Sequence, residues 1–261
     1  MNIHMTMTKH CITGIASLLL FSAQNPAVAA PPQQRPSKPT ANTVTLKAVK
    51  DTLLDEDRPD NNMGRAYHAA KVASFRSKGY NRIMLVEFDL ASLASTNITQ
   101  ATFRLHCAPS GWDHSIDANF LFFGMLQPWE EGSGIGTIGS ETLDGASWHS
   151  RDGSNTWNGG SIVVGGKNPS GNFDAAPFAT KAHTTYEEWL NKWIEVDATP
   201  LVRQWVGGAR PNCGIAVCAL GLSTNNAYTM FATREYKQDG YSEGEVAPQL
   251  VIQFAPAMHA K

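Results

Sequence analysis

The amino-acid sequence predicts an all-β fold, an antiparallel β-sandwich with one short helix. Short runs in which apolar and polar residues alternate show the period of two that β-strands have. Clusters of Gly, Asn and Asp separate these runs, and many short strands between such turns are typical of sandwiches. One segment alone has helical spacing. The predicted strand segments are RIMLVEFDL, ATFRLHC, NFLFFGML, SIVV, WIEV, CGIAVCALG, AYTMFATRE and PQLVIQF.

The N-terminal segment has the layout of a cleavable secretory signal. Lys9 and His10 precede an apolar run over residues 12–21, which is too short to cross a bilayer, and small residues follow Pro26. We therefore expect a secreted, periplasmic or cell-surface protein without a transmembrane segment. The predicted organisation is a signal peptide over residues 1–30, a Pro-rich leader over 31–42, one sandwich domain over 43–255 and a tail over 256–261.

The charge balance argues against a nucleic-acid partner. The chain carries 21 Lys and Arg against 23 Asp and Glu, a net charge of −2 at pH 7, whereas nucleic-acid-binding domains have a clear basic excess. A polyanion must therefore bind through a local cluster of basic residues, because the overall charge does not attract it.

Three cysteines remain once the predicted signal is set aside, namely Cys107, Cys213 and Cys218. In an oxidising compartment an odd number leaves at least one thiol unpaired. Alternation places Cys107 on the face of Leu105 and Cys213 on the face of Ile215. Two outcomes stay open, a disulfide between Cys107 and Cys213 or three buried free thiols.

The segment VDATPLVRQWVGGARPNCGIAVC contains the one predicted helix, over residues 200–206. Thr199 is a suitable N-cap, Pro200 suits the first helical position, and Gly207 ends the pattern. We expect this helix to close one end of the sandwich through its apolar face, with Trp205 in the core. That face consists of Leu201, Val202, Trp205 and Val206.

Five stretches, taken in order, carry a family resemblance. They are KDTLLDEDRPDNNMG, RIMLVEFDLASLASTNITQATFRLHC, WEEGSGIGT with DGASWHSRDGSNTWNGG, VDATPLVRQWVGGARPNCGIAV, and MFATREYKQDGYSEGEVAPQLVIQF. Together they resemble the DNRLRE-domain group of secreted proteins, which includes carbohydrate-binding module family 96 and the disaggregatase-related domains. The resemblance implies a jelly-roll sandwich that works beside polysaccharide-active enzymes, with uronate polymers such as alginate among its ligands. Cys213 departs from the pattern, because the family commonly has an aromatic residue there.

Several loops carry the residue types that sugar binding needs. Aromatic faces stack on sugar rings, and Arg or Lys side chains bind the carboxylates of acidic sugars. The alternative is that these are ordinary loop residues, with a Trp that caps a sheet end. We interpret Trp129 and Trp148 separately, as the framework of a Gly-rich loop. The candidate carbohydrate-binding residues are Arg76, Lys78, Tyr80, Arg82, Trp112, Arg151, Trp157, Arg234, Tyr236, Lys237 and Tyr241.

The expected function is non-catalytic recognition of an acidic polysaccharide through the loops SFRSKGYNR and TREYKQDGY. A polysaccharide lyase is the enzymatic alternative, since such enzymes use a Tyr or His base beside Arg or Lys. The residues available for it are His106, His149, Tyr236 and Arg234. No nucleophile elbow or zinc-binding helix motif is present in the sequence. A structural or adhesive surface protein is the third possibility.

A structural calcium site is the one cofactor that the sequence predicts. Asp55, Asp57 and Asp60 lie together in the stretch DEDRPD, and oxygen ligands suit Ca²⁺ in an extracellular setting. The alternative is a solvated acidic turn without a metal. A calcium ion here would stiffen the loop and take no part in chemistry.

Overall fold

The computed structural model describes residues 42–66, 70–74, 79–93, 97–109, 118–136, 142–163, 171–183, 186–221 and 227–256. These residues confirm the predicted fold class, an all-β antiparallel sandwich, and they lie in one compact unit, Pro39–Lys261. The predicted signal peptide, and all but one residue of the leader and of the tail, lie outside them. Within the described part, no helix is long and apolar enough to span a membrane.

The elements are β1 (Asn42–Lys47), β2 (Lys50–Asp55), β3 (Ala70–Ser74), β4 (Arg82–Glu87), β5 (Ile98–His106), β6 (Ala118–Gly124), β7 (Ala179–His183), α1 (Tyr186–Trp189), β8 (Trp193–Asp197), α2 (Thr199–Val206), β9 (Ile215–Gly221), β10 (Ala227–Phe231) and β11 (Gln249–Phe254).

The strands form two sheets in which every pairing is antiparallel. Sheet A has the order β1, β11, β5, β8, so it joins the first and the last described strands. Sheet B has the order β10, β3, β4, β9, β6, β7, and β2 pairs with β4 beside this path. Most neighbours in both sheets are therefore distant in sequence.

The inner core fills the space between the two sheets. Phe103 and Leu250 contribute to it from sheet A, and Val86 and Phe122 from sheet B. The ring of Phe103 meets those of Phe88 and Phe122 edge-on, with centroids 5.9 and 6.0 Å apart. Such edge-to-face pairs add to the stabilisation that burial provides.

Sheet B is buried on its outer face as well. Leu54, Ile83 and Leu85 point away from the inner core and pack beneath described residues of the segment 125–178, which we call the covering segment. The strand β4 is apolar at each position over residues 83–86 because it faces a core on both sides. The described part of the covering segment fills the second core with Trp129, Trp148, Trp157, Ile162, Val163 and Phe173.

The described part of the covering segment has little regular structure, so its polar groups form hydrogen bonds outside a sheet ladder. The indole N–H of Trp129 donates to the carbonyl of Cys213 at 3.0 Å. Trp129 and Trp148 are both buried, which confirms their predicted framework role. The prediction of a strand at SIVV is wrong for its described residues, 161–163, because burial in the second core explains these apolar residues without a sheet ladder.

Helix α2 packs on the inner core through Leu201 and Trp205, as predicted. The prediction of Thr199 as the N-cap is wrong, because the helix begins at Thr199 and the cap residue is Ala198, which has no capping side chain. Asp197 compensates by accepting a hydrogen bond from the Thr199 N–H at 2.8 Å. The Thr199 hydroxyl in turn accepts from the N–H of Ala101 at 2.8 Å, and this bond ties the helix to sheet A. The single-turn helix α1 was not predicted.

All three described cysteines are buried free thiols, which is one of the two predicted outcomes. Cys107 lies in the inner core, whereas Cys213 and Cys218 lie in the second core on the other side of sheet B. The prediction that Cys213 shares a face with Ile215 is wrong, because Gly214 adopts a φ of +87° and interrupts the alternation. Sheet B therefore separates Cys107 from Cys213, and a disulfide between them is excluded.

We expect the three buried thiols to react with an alkylating reagent only after unfolding. Burial shields all three, and it also raises the pKa of Cys218, so little reactive thiolate forms at neutral pH. Peptide mapping after alkylation should find them unmodified in native buffer and modified in denaturant. A reductant should leave the melting temperature unchanged. A disulfide-linked peptide containing Cys107 would contradict this assignment.

Candidate functional site

The two loops that the sequence predicts as one binding site leave a strand pair at opposite ends. Strands β3 and β10 are antiparallel, with Ser74 paired to Ala227 and Ala70 paired to Phe231. The loop SFRSKGYNR continues from Ser74, whereas TREYKQDGY follows Phe231. Four residue steps along a strand span about 13 Å. The strand register thus does not bring the two loops together.

Tyr80 is the described aromatic residue of the first loop, and it lies against the second core. Its ring meets Phe123 edge-on, with centroids 6.2 Å apart. Burial raises the pKa of the Tyr80 phenol to about 12. The candidates Arg76, Lys78 and Trp112 lie outside the described residues.

The predicted metal residues engage Arg82 and His149. Asp55 and Asp57 pair with Arg82 at 2.9 and 3.5 Å. Asp60 contacts Nδ1 of His149 at 2.9 Å. Among the described residues, no three acidic, His or Cys side chains are grouped so as to hold a metal ion. Calcium binding by these three carboxylates stays a prediction, and no metal enters the function proposed for the chain.

Arg234, from the second loop, is part of a buried ion network. Its Nη1 donates to Oε1 of Glu131 at 2.7 Å and to the carbonyl of Val49 at 2.6 Å. Its backbone N–H donates to Oδ2 of Asp51 at 2.9 Å. Glu131 also accepts from the Asp51 N–H at 2.8 Å, so the network connects the start of β2, the covering segment and the second loop. The network consists of Asp51, Glu131, Arg234 and Glu235.

The ion network holds two carboxyl groups whose protonation is perturbed. Burial raises the pKa of Asp51 well above its ordinary range, and the nearby carboxylate of Glu235 raises it further, against the hydrogen bond from the Arg234 N–H. Burial also raises the pKa of Glu235, opposed by Arg234. Oε2 of Glu235 is buried without a hydrogen-bond partner. Both carboxyl groups lie in the interior and are not exposed to a ligand.

The other predicted residues of the second loop differ in exposure. Tyr236 is 1% exposed, and its hydroxyl donates to Asp239. Lys237 is exposed and pairs with Glu243 at 3.8 Å. Tyr241 is partly exposed and contributes to the candidate site described below.

Arg151 and Trp157 lie in the covering segment and do not form a binding platform. Trp157 is 1% exposed, and its indole N–H donates to the carbonyl of Ser147 at 2.9 Å. Arg151 donates to the carbonyl of Pro128 at 3.2 Å. The expectation of an exposed aromatic face at Trp157 is wrong, because its ring is buried in the second core.

The outer face of sheet A presents polar side chains in register across four strands. Residues paired across antiparallel strands point to the same face about 5 Å apart. One row, which we call the polar row, consists of Lys47 on β1, Gln249 on β11, Arg104 on β5 and Glu195 on β8. The next two rows on this face are Thr45, Val251, Thr102 and Asp197, and then Thr43, Gln253 and Gln100.

Arg104 is fixed in place by its neighbours in the polar row. Its guanidinium carbon lies 4.6 Å from the ring centre of Trp193, a cation–π contact. Its Nε donates to Oε1 of Gln249 at 3.0 Å, and its Nη1 is 3.7 Å from Glu195. These contacts hold the Arg104 guanidinium in place. Because a guanidinium has five N–H donors, others remain for a ligand.

His106 lies between two aromatic rings at the end of the same face. Its ring centroid is 5.3 Å from that of Trp193 and 5.2 Å from that of Tyr241, both edge-on. Nε2 of His106 is 3.5 Å from the hydroxyl of Tyr241. Although His106 lies on the outer face of its strand, these rings leave it only 3% exposed. Burial lowers its pKa, which favours the neutral imidazole. We call Arg104, His106, Trp193 and Tyr241 the aromatic corner.

The second loop and the residues that follow it cross this end of sheet A. Nζ of Lys47, on β1, donates to the carbonyl of Gly244 at 2.8 Å, and Tyr241 contacts His106 on β5. The loop therefore bounds the polar row along one side. The other side of the row opens onto the threonine and glutamine rows.

The sequence prediction missed Arg104, Trp193 and Gln249. Arg104 and Trp193 occupy outward positions of strands in which polar and apolar residues alternate. An aromatic residue at an outward position is the sequence signal that could have revealed Trp193. Gln249 could not be recognised, because its pairing with Arg104 depends on strands 145 residues apart.

No protein family model matches this chain, and the search of curated proteins finds no match. The resemblance to DNRLRE domains thus stays an expectation drawn from sequence motifs. The candidate site rests on the geometry of sheet A alone.

We expect Arg234→Ala to destabilise the fold, because it removes the charged partner of Glu131. Lost hydrogen bonds to charged groups of this kind cost about 2–3 kcal/mol. Chemical denaturation should show this loss, while the exposed control Lys237→Ala should change stability by less than about 0.5 kcal/mol. Equal effects of the two variants would show that Arg234 is not structural.

We expect Asp51→Asn to change the pH dependence of stability. Because burial raises the pKa of Asp51 in the folded state, Asp51 binds its proton more tightly there, and its contribution to the free energy of unfolding falls as the pH rises above about 4. Asparagine keeps an acceptor for the Arg234 N–H and does not titrate. The variant should therefore gain stability over the wild type as the pH rises from about 4 to 8. Denaturation curves at several pH values test this, with exposed Glu195→Gln as the control that should follow the wild type.

Proposed function

We propose that this chain is a non-catalytic carbohydrate-binding module, that the outer face of sheet A is its binding surface, and that a uronate-containing polysaccharide is its ligand. Sugar rings stack their C–H groups on aromatic side chains, and their hydroxyls bind planar polar groups. The aromatic corner and the polar row offer both kinds of group on one face. The observation that carries the proposal is the Arg104 guanidinium held between Trp193 and Gln249.

The preference for an acidic sugar is supported by the fixed orientation of Arg104. A guanidinium binds a carboxylate through two parallel hydrogen bonds, and a side chain held in advance loses less entropy on binding. Lys47 adds a second cation on the same row, whereas Glu195 and Asp197 add two acids at the β8 edge. The charges on this face balance, and each exposed ionic contact contributes little to the binding free energy. The affinity for the polysaccharide should therefore be modest and salt-sensitive.

Titration calorimetry with a uronate polymer and a neutral glucan tests the proposal. Trp193→Ala and Arg104→Gln should each weaken binding of the uronate polymer about two- to tenfold, the range for one stacking or ionic contact. Lys237→Ala, in the loop that the sequence favoured, is the control and should bind as the wild type does. Thermal melts of each variant separate lost binding from lost folding.

Two results would overturn the proposal. One is a wild-type protein that binds no uronate polymer. The other is a Lys237→Ala variant that loses as much affinity as Arg104→Gln, because the site would then lie in the second loop.

A polysaccharide lyase is a second candidate, favoured by the contact between Tyr241 and His106. In this reaction the Tyr241 oxygen would take the proton from the sugar carbon that bears the carboxylate, and its own proton would pass to neutral His106. The electron pair would form a carbon–carbon double bond, the glycosidic oxygen would leave with a proton from water, and Arg104 would balance the carboxylate charge.

The two candidate functions differ in whether the polymer is shortened. Incubation of the wild type with a uronate polymer should release no ultraviolet-absorbing unsaturated ends if the chain only binds. Release of such ends, lost in Tyr241→Phe, would support the lyase. Phenylalanine keeps the ring contact with His106 and removes only the hydroxyl, so the variant isolates the proton transfer.

A further inference from the structure

The geometry points to a direction of binding: we infer that the polysaccharide runs across the strands of sheet A, over the polar row, with one sugar unit above each strand. This inference rests on the proposed function and deepens it. It names the ligand as a linear uronate chain of at least four units. It also makes Lys47 and Glu195, at the two ends of the row, determinants of specificity.

The first support is the way sheet A is bounded. The second loop and Gly244 just after it occupy one end of its strands, through the contacts of Lys47 with Gly244 and of Tyr241 with His106. Helix α2 occupies the other end, where Arg203 donates to the carbonyl of Ile98 at 2.7 Å. The two edges are formed by β1 and β8, whose outward side chains Lys47 and Glu195 are exposed. A long chain therefore leaves the face more freely over the edges than over the ends.

The second support is the spacing of the strands. Neighbouring strands lie about 4.8 Å apart, so the four positions of the polar row span about 14 Å. Per sugar unit, a linear chain of pyranose rings advances by a distance similar to the spacing between neighbouring strands. Each unit can then meet one side chain of the row, whereas along a strand the outward side chains recur only every second residue, about 6.6 Å apart.

The third support is the order of charges along the row. Lys47 and Arg104 lie on either side of Gln249, so a carboxylate above β11 would meet a cation on each side. Gln249 itself is 7% exposed and serves as the floor that holds Arg104. Glu195, at the β8 edge, accepts hydrogen bonds from hydroxyls and repels a carboxylate. The row therefore discriminates between sugar units by position.

Calorimetry with uronate oligosaccharides of two to six units tests this inference. Wild-type affinity should rise with length up to four units and then stay constant. Lys47→Ala should weaken the binding of the four-unit chain about two- to fivefold, the range for one exposed ionic contact, and leave the two-unit chain unaffected. Glu195→Gln should strengthen binding by a similar factor. Gln100→Ala, on the row farthest from the loop, is the matched control and should have no effect.

The alternative direction gives the opposite pattern. If the chain follows β5, Gln100→Ala weakens binding of long chains and Lys47→Ala does not, which overturns the inference and leaves the proposed function intact. Affinity that is already constant at two units overturns it as well. A wild type that binds none of the oligosaccharides, and no uronate polymer, overturns the proposed function itself.

Discussion

The burial of sheet B on both faces is the constraint on which the rest of the structure depends. Its strands face the inner core on one side and the second core on the other, so the sheet needs a third layer to keep Leu54, Ile83 and Leu85 from water. The covering segment supplies that layer with large aromatic rings, because an irregular chain has no apolar face of its own. Sheet A, by contrast, has an outer face whose described side chains are mostly polar. Because the outer face of sheet B is covered, the candidate site lies on sheet A.

The buried ion network fixes the second loop relative to the covering segment and sheet A. Arg234 reaches inward to Glu131 in the covering segment, while Tyr241 in the same loop reaches outward to His106 on sheet A. The loop thus connects the interior of the third layer to the surface of the opposite sheet. Arg234, which looks available for a ligand in the sequence, is used to hold this loop, whereas the cations of the candidate site, Lys47 and Arg104, come from strands.

The fold could be predicted from the sequence because alternation and turn chemistry are local. The strands around Met84, Phe103 and Leu250 follow directly from their period of two, and helix α2 follows from its apolar spacing and Pro200. The site could be predicted only in part. Tyr241 is a candidate by residue type, but the partners of Arg234 and Arg104 are set by tertiary contacts across more than a hundred residues of sequence. A backbone conformation, that of Gly214, likewise reverses the side on which Cys213 lies.

The pairing of β1 with β11 has a consequence for the order in which the molecule is made. Lys47 and Gly244, which meet at the end of the polar row, are 197 residues apart in the chain. Contacts of such separation form slowly, since a long loop must close before they provide any stabilisation. During synthesis β1 emerges early and must wait for β11 to arrive between it and β5. The face that we assign to sugar recognition therefore exists only in a finished molecule, and a partly synthesised chain has no surface with which to bind.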